Sequence, residues 1–156
     1  MKKKIAILGS TGSIGKSTIN IIEKNIKDFQ VVFLSTNKNL NIITRQYKKL
    51  RPKFLIIKNH NSYLKFIKKN KHKNIKVFNN YDFLKDKIIT KLDYVINAIS
   101  GFEGLEPTLK IIPFTKKIGI ANKESLICAW NLIKYQIDKY KTKFIPIDSE
   151  HFSIWS

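Results

Sequence analysis

Short apolar runs and longer amphipathic stretches take turns along this chain. Residues 4–8 form an apolar run that stops at Gly9, the pattern of a strand covered on both faces. Over residues 13–24, Ile14, Ile19, Ile21 and Ile22 recur at helical spacing behind a hydroxyl-rich start, which predicts a helix. The alternation continues. Strands are predicted over 31–34, 54–57, 75–78, 94–99, 118–121 and 144–147, and helices over 41–50, 62–70, 105–112 and 124–140. Pro52 limits the second helix, because the residue before a proline is pushed out of helical backbone. Pro107 falls in the first turn of the fourth, where its missing N–H costs nothing. The lysine- and asparagine-rich segment 70–91 carries the weakest pattern and reads either as a small unit or as a surface excursion.

Strands alternating with helices imply right-handed crossovers. The fold class is therefore α/β: a Rossmann-like, doubly wound, mostly parallel sheet with helices on both faces. The chain shows no internal repeat.

Composition narrows the function. At 156 residues and 43% apolar content the chain suits one domain with a core of its own. No apolar stretch is long enough to span a membrane. The four apolar residues before Gly9 are too few for a signal peptide, so a cytoplasmic location is expected. The single Cys128 cannot build a disulfide framework and makes a poor metal site alone. The net charge of +19 invites a nucleic-acid reading, which would predict steeply salt-dependent DNA binding. However, only Arg45 and Arg51 among the 30 basic residues are arginine, and the lysines are scattered. Forked contacts to phosphate and base edges favour guanidinium. The lysines read as solvated surface, with no specific nucleic acid and no membrane as partner.

Chemistry first appears at the end of the first strand, in "ILGSTGSIGKST". Gly9, Gly12 and Gly15 stand three apart at the entrance to the first helix. Glycines there permit a tight turn and let backbone approach a ligand, while the free N–H groups of the helix start face an anion. A dinucleotide diphosphate fits, and Thr11 and Ser13 can add hydroxyl donors. The spacing is not that of a Walker loop, since Ser10 stands where that motif has its first glycine. At the end of the second strand, NAD-binding domains place an acid for the ribose 2′-hydroxyl. Here the chain reads Leu34-Ser35-Thr36-Asn37-Lys38-Asn39. Hydroxyls, amides and an ammonium attract a 2′-phosphate that a carboxylate would repel, which favours NADP(H).

Two later stretches also fall at strand ends. "IANKES" opens the last helix, and "IPIDSEH" ends the last strand. Asp148 and Glu150 stand two apart, so in extended chain both carboxylates face one side. Two hard oxygen donors suit Mg²⁺ or Mn²⁺. A stand-alone NADP-binding module, in which these acids are merely structural, is the alternative.

In this order, "ILGSTGSIGKST", "NAISGFEGLEPTL", "IANKES" and "PIDSEH" resemble the N-terminal portion of the 1-deoxy-D-xylulose 5-phosphate reductoisomerase family. The resemblance implies an NADPH- and metal-dependent oxidoreductase of the non-mevalonate isoprenoid pathway. It implies an NADPH-binding domain over 1–147 and the start of a catalytic, metal-binding domain over 148–156. By position, it implies that Thr11, Gly12, Ser13 and Ile14 line the diphosphate turn. Asn37, Lys38 and Asn39 match the 2′-phosphate segment. Asn122 and Glu124 would contact the cofactor. Lys123, Ser149 and Glu150 would contact a phosphorylated sugar substrate, and Asp148 and Glu150 would be two of three metal carboxylates. The complete enzyme is expected to be a homodimer, and this chain an N-terminal fragment inactive alone. Three places depart from the family, one being the final "HFSIWS", where Phe152 and Ser156 replace small or polar residues and glutamine. Asn37 replaces a glycine, so a positive φ is expected there, and Trp130 replaces a small residue, which threatens to crowd the core.

Overall fold

The structure is a computed structural model that describes residues 1–70 and 75–147. Seven parallel strands form one sheet: β1 (Lys3–Leu8), β2 (Phe29–Thr36), β3 (Phe54–Ile57), β4 (Lys76–Phe78), β5 (Tyr94–Asn97), β6 (Lys117–Ile120) and β7 (Lys143–Pro146). Their spatial order is β4-β3-β2-β1-β5-β6-β7. The chain leaves β1 toward one edge, reaches β4, then crosses back to β5 on the other side of β1. The connections after β1 and β5 therefore diverge, which opens a crevice at the carboxyl ends of these two strands.

Among the described residues six α-helices cover the sheet: α1 (Ser13–Lys24), α2 (Leu40–Leu50), α3 (His60–Lys69), α4 (Leu84–Lys87), α5 (Leu105–Ile111) and α6 (Lys123–Tyr140). Successive strand residues point to opposite faces, and β1 shows the consequence. Ile5 and Ile7 pack with Ile19 and Ile22 of α1, Ile43 and Leu50 of α2, and Phe66 of α3. Ala6 and Leu8 belong to the other core, with Leu84, Ile111, Ile133 and Ile137 from α4, α5 and α6. This double burial explains why β1 and β3 read as unbroken apolar runs.

Segment 70–91 is not a surface excursion. Its described part supplies the edge strand β4, the one-turn helix α4 and four buried side chains, Tyr81, Phe83, Leu84 and Ile88. Phe78 and Phe83 stack with ring centroids 4.0 Å apart. Apolar residues there are too widely spaced for any periodic signal, yet they pack against Phe33 and Phe54 from the sheet. Trp130 does not crowd the core either. It is 40% exposed, and it meets Phe144 edge-on just after a break in α6 at Ala129, where φ is −133°.

Candidate functional site: the nucleotide cleft

The turn after β1 is held by contacts too close for side chains. Gly9 has φ +72°, and a Cβ there would lie 2.8 Å from the Ala98 carbonyl oxygen and 2.9 Å from the Ile99 nitrogen. At Gly15 a Cβ would lie 2.6 Å from Ser10 Cα, so α1 could not start so close under the turn. Gly12 differs. A Cβ there meets nothing nearer than 3.5 Å, so the fold does not require glycine at this position.

Gly12 is the N-cap of α1 and offers no side-chain hydrogen bond, and the first turn holds no acid. Helix starts leave backbone N–H groups without intrahelical partners, and these carry partial positive charge. Here no cap side chain occupies them. The following residues, Ser13 and Ile14, are exposed. The opening of α1 thus leaves its first N–H groups without a side-chain cap beside a glycine-lined space.

That space is a cleft of about 740 Å³ at the carboxyl ends of the strands, lined among others by Thr11, Gly12, Asn37, Lys38, Lys58 and Tyr81. A wider hollow of about 860 Å³ lies near Lys3, Asp28 and Phe29, where strands begin and α1 ends. The carboxyl-terminal part of α1 borders that second space, so it lacks the helix-start N–H groups of the first.

The end of β2 is stitched to the glycine turn. Gly9 N–H donates to Ser35 Oγ at 2.9 Å, and Ser10 N–H donates to the Ser35 carbonyl at 2.9 Å. Thr11 Oγ1 and Thr36 Oγ1 share a 2.8 Å hydrogen bond. The buried Tyr81 hydroxyl donates to Ser35 Oγ at 3.1 Å. Burial pushes the Tyr81 phenol up from its ordinary pKa, so it stays a neutral donor. Among these, sequence reasoning missed Tyr81 and the tie made by Ser35. Tyr81 lies in the aperiodic segment, and nothing local marks it as a floor for the cleft.

Asn37, Lys38 and Asn39 leave β2 toward α2. Among the described residues only Arg51 and Lys141 are non-glycine residues with positive φ. Asn37 therefore sits in ordinary backbone, and no glycine is needed there. The Asn39 side chain caps α2 by accepting from Ile42 N–H at 3.1 Å. At β6, Asn122 is buried and caps α6, accepting from Ser125 N–H at 3.0 Å. Its amide nitrogen donates to the carbonyls of Ile99 (2.8 Å) and Gly101 (3.0 Å). Both atoms of the Asn122 amide are thus spent on holding the loop after β5 against α6. Asn97 does similar work, donating to the Gly104 carbonyl at 2.9 Å and to Thr108 Oγ1 at 2.6 Å. Lys123 and Glu124 are exposed at the start of α6.

Two acids also line the cleft, Glu103 and Glu106. Glu106 accepts from Lys110 at 2.9 Å. That hydrogen bond, followed by the charge of Lys58, holds its carboxyl below the usual range despite partial desolvation. Asp148, Ser149 and Glu150 lie outside the described residues. Among the described residues no cluster of three His, Cys, Asp or Glu side chains could hold a metal ion. Nor is any helix there long and apolar enough to cross a membrane.

A parallel doubly wound sheet whose switch point carries an open helix start defines the dinucleotide-binding class of α/β domains. The sequence profile of the 1-deoxy-D-xylulose 5-phosphate reductoisomerase family matches residues 5–130. The chain belongs to that family. A reductoisomerase of Pelagibacter ubique is 54% identical over 156 residues, covering 99% of this chain and 40% of the relative. The Zymomonas mobilis reductoisomerase, solved in complex with NADPH, superposes with a TM-score of 0.87 at 31% identity, covering 97% of this chain and 40% of the other. A reductoisomerase complex with NADPH, fosmidomycin and magnesium gives 0.82 at 28% identity, covering 96% and 37%. The chain thus spans about 40% of the length of the curated relatives it matches.

Proposed function

We propose that this chain is the NADPH-binding portion of an enzyme that rearranges and reduces 1-deoxy-D-xylulose 5-phosphate to 2-C-methyl-D-erythritol 4-phosphate. The observation that carries the reading is the glycine-capped start of α1: Gly12 lines the cleft, and no cap side chain takes up the first N–H groups of the helix. A diphosphate accepts from such donors and gains from the helix dipole. The family's solved complexes with NADPH support the same ligand.

On this reading Thr11, Gly12, Ser13 and Ile14 cradle the diphosphate. Asn37, Lys38 and Asn39 take the adenosine 2′-phosphate, with Lys38 supplying charge and Asn39 its amide N–H₂ while its oxygen caps α2. Asn122 acts on the cofactor indirectly. By clamping Ile99 and Gly101 it shapes the cleft wall, and Glu124 reaches the cofactor from the exposed start of α6. NADPH, when bound, supplies the hydride that reduces the rearranged substrate. Lys123 reaches the phosphorylated sugar from the same helix start. Residues 148–156 begin the catalytic portion, where Asp148 and Glu150 offer hard oxygen donors to Mg²⁺ or Mn²⁺ and Ser149 and Glu150 contact the sugar. The third metal carboxylate would come from the part of a polypeptide of the relatives' length that this chain does not span, and the complete enzyme would be a homodimer.

The test is direct. The 156-residue chain should enhance NADPH fluorescence on titration and prefer it to NADH. It should not oxidise NADPH when 1-deoxy-D-xylulose 5-phosphate and Mg²⁺ are added. Equal affinity for both nucleotides would remove the cofactor assignment, and steady turnover would remove the claim that the chain is a cofactor-binding portion alone.

A further inference from the structure

We propose that Lys58 is a second cation for the adenosine 2′-phosphate, sharing with Lys38 the discrimination of NADPH from NADH; this rests on the NADPH reading above. The geometry begins in the backbone. Past the end of the β2–β3 ladder, Lys58 N–H donates to the Thr36 carbonyl at 3.0 Å and Asn59 N–H to the Asn37 carbonyl at 3.2 Å. Residues 58 and 59 are therefore held one strand spacing, about 4.8 Å, from the segment assigned to the 2′-phosphate. Lys58, Asn59 and His60 line the same cleft as Asn37 and Lys38.

The Lys58 side chain runs across the cleft floor. Its ammonium lies 5.6 Å from the centre of the Tyr81 ring and 3.9 Å from Glu106 Oε2. The pairing with Glu106 is long and half-exposed, and Glu106 already holds Lys110 at 2.9 Å. Lys58 is thus drawn inward without being consumed. A phosphate monoester, close to dianionic at neutral pH, is the stronger acceptor for it.

Among the described residues that line the cleft, Lys38 and Lys58 are the two lysines, and His60 stands beside Lys58. Asn39 and Asn59 cap α2 and α3, so these helix starts have their own acceptors. One of the two arginines, Arg51, ends α2 at its far end. A lysine is a point charge without the guanidinium fork. Two lysines on adjacent strand ends reproduce two-sided contact with one phosphate.

Isothermal titration with NADP⁺ and NAD⁺ tests this on the unaltered chain and on Lys38→Gln, Lys58→Gln and Lys58→Arg. Lys58→Gln should lose about tenfold affinity for NADP⁺, as for one charge-assisted contact, and stay within about twofold for NAD⁺. Lys58→Arg should keep the preference. If Lys58→Gln leaves the NADP⁺ to NAD⁺ ratio intact while Lys38→Gln lowers it, the Lys58 role is overturned and the NADPH reading stands. Equal losses for both nucleotides also overturn it, because that marks a structural effect. If the unaltered chain shows no preference, the NADPH reading itself fails and the proposal fails with it.

Discussion

Gln46 grips Ser10 from both sides. Ser10 Oγ donates to Gln46 Oε1 at 2.7 Å, and Gln46 Nε2 donates to the Ser10 carbonyl at 2.8 Å, all within the buried interior. One side chain of α2 thereby fixes the backbone of the glycine turn between its two tight contacts. Gln46→Leu should cost about 2 kcal/mol, because it abandons two buried bonds and strands a carbonyl. Urea unfolding reads that cost, and NADPH titration should show weaker binding as the turn loosens.

The three glycines of the turn should separate fold from ligand. Gly15→Ala drives a Cβ against Ser10 backbone and should destabilise the chain by about 2 kcal/mol or more. Gly12→Ala finds room, with φ at −75° and nothing nearer than 3.5 Å, so the melting temperature should hold. Its methyl group projects where a diphosphate would sit, so NADPH binding should fall more than tenfold. A Gly12→Ala chain that binds normally would contradict the cradle.

Asn122 donates to two carbonyls and accepts from one N–H. Asn122→Asp keeps the acceptor for the cap but turns the donor into a second acceptor facing the Ile99 and Gly101 carbonyls. The variant should lose roughly 2–3 kcal/mol at neutral pH and recover part of it below the carboxyl's pKa, where a proton restores a donor. Denaturation midpoints at two pH values measure this.

Asp93 ties the sheet at its amino end. Its carboxylate accepts from Lys116 Nζ and from Lys4 N–H, each at 2.8 Å. The Lys116 bond foremost, then the backbone bond, holds its carboxyl below the ordinary range. Stability from a depressed carboxyl is complete above the unfolded value of about 3.9 and is lost as pH falls through the lower folded value. Asp93→Asn should therefore be less stable than the parent at pH 7, and the gap should close under acid. Thermal melts across that range check it, and a gap independent of pH would refute the ion-pair account.

Hydropathy made β1 and β3 legible as unbroken apolar runs buried on both faces, and α1 and α2 as helically spaced sets of buried side chains. It underestimated β2, predicted over 31–34 and observed over Phe29–Thr36. The added ends carry Gln30, Ser35 and Thr36, which belong to the strand through backbone pairing with β1 and β3. Gln46 left a trace. It shares the buried stripe of α2 with Ile43 and Leu50, and a polar residue there signals an internal partner. Lys58 left none, being one lysine among many.

Outside segment 70–91, local pattern thus specified the order of strands and helices, the glycine turn and the absence of an acid after β2, since these depend on neighbours within a few residues. The partnership of Ser10 with Gln46, of Gly9 with Ser35 and Tyr81, and of Thr36 with Lys58 arose only when the sheet brought distant strand ends together. Hydrogen bonds between residues tens of positions apart leave no periodic mark on a chain. Their partners are set by strand order, and strand order is chosen by the packing of the whole sheet.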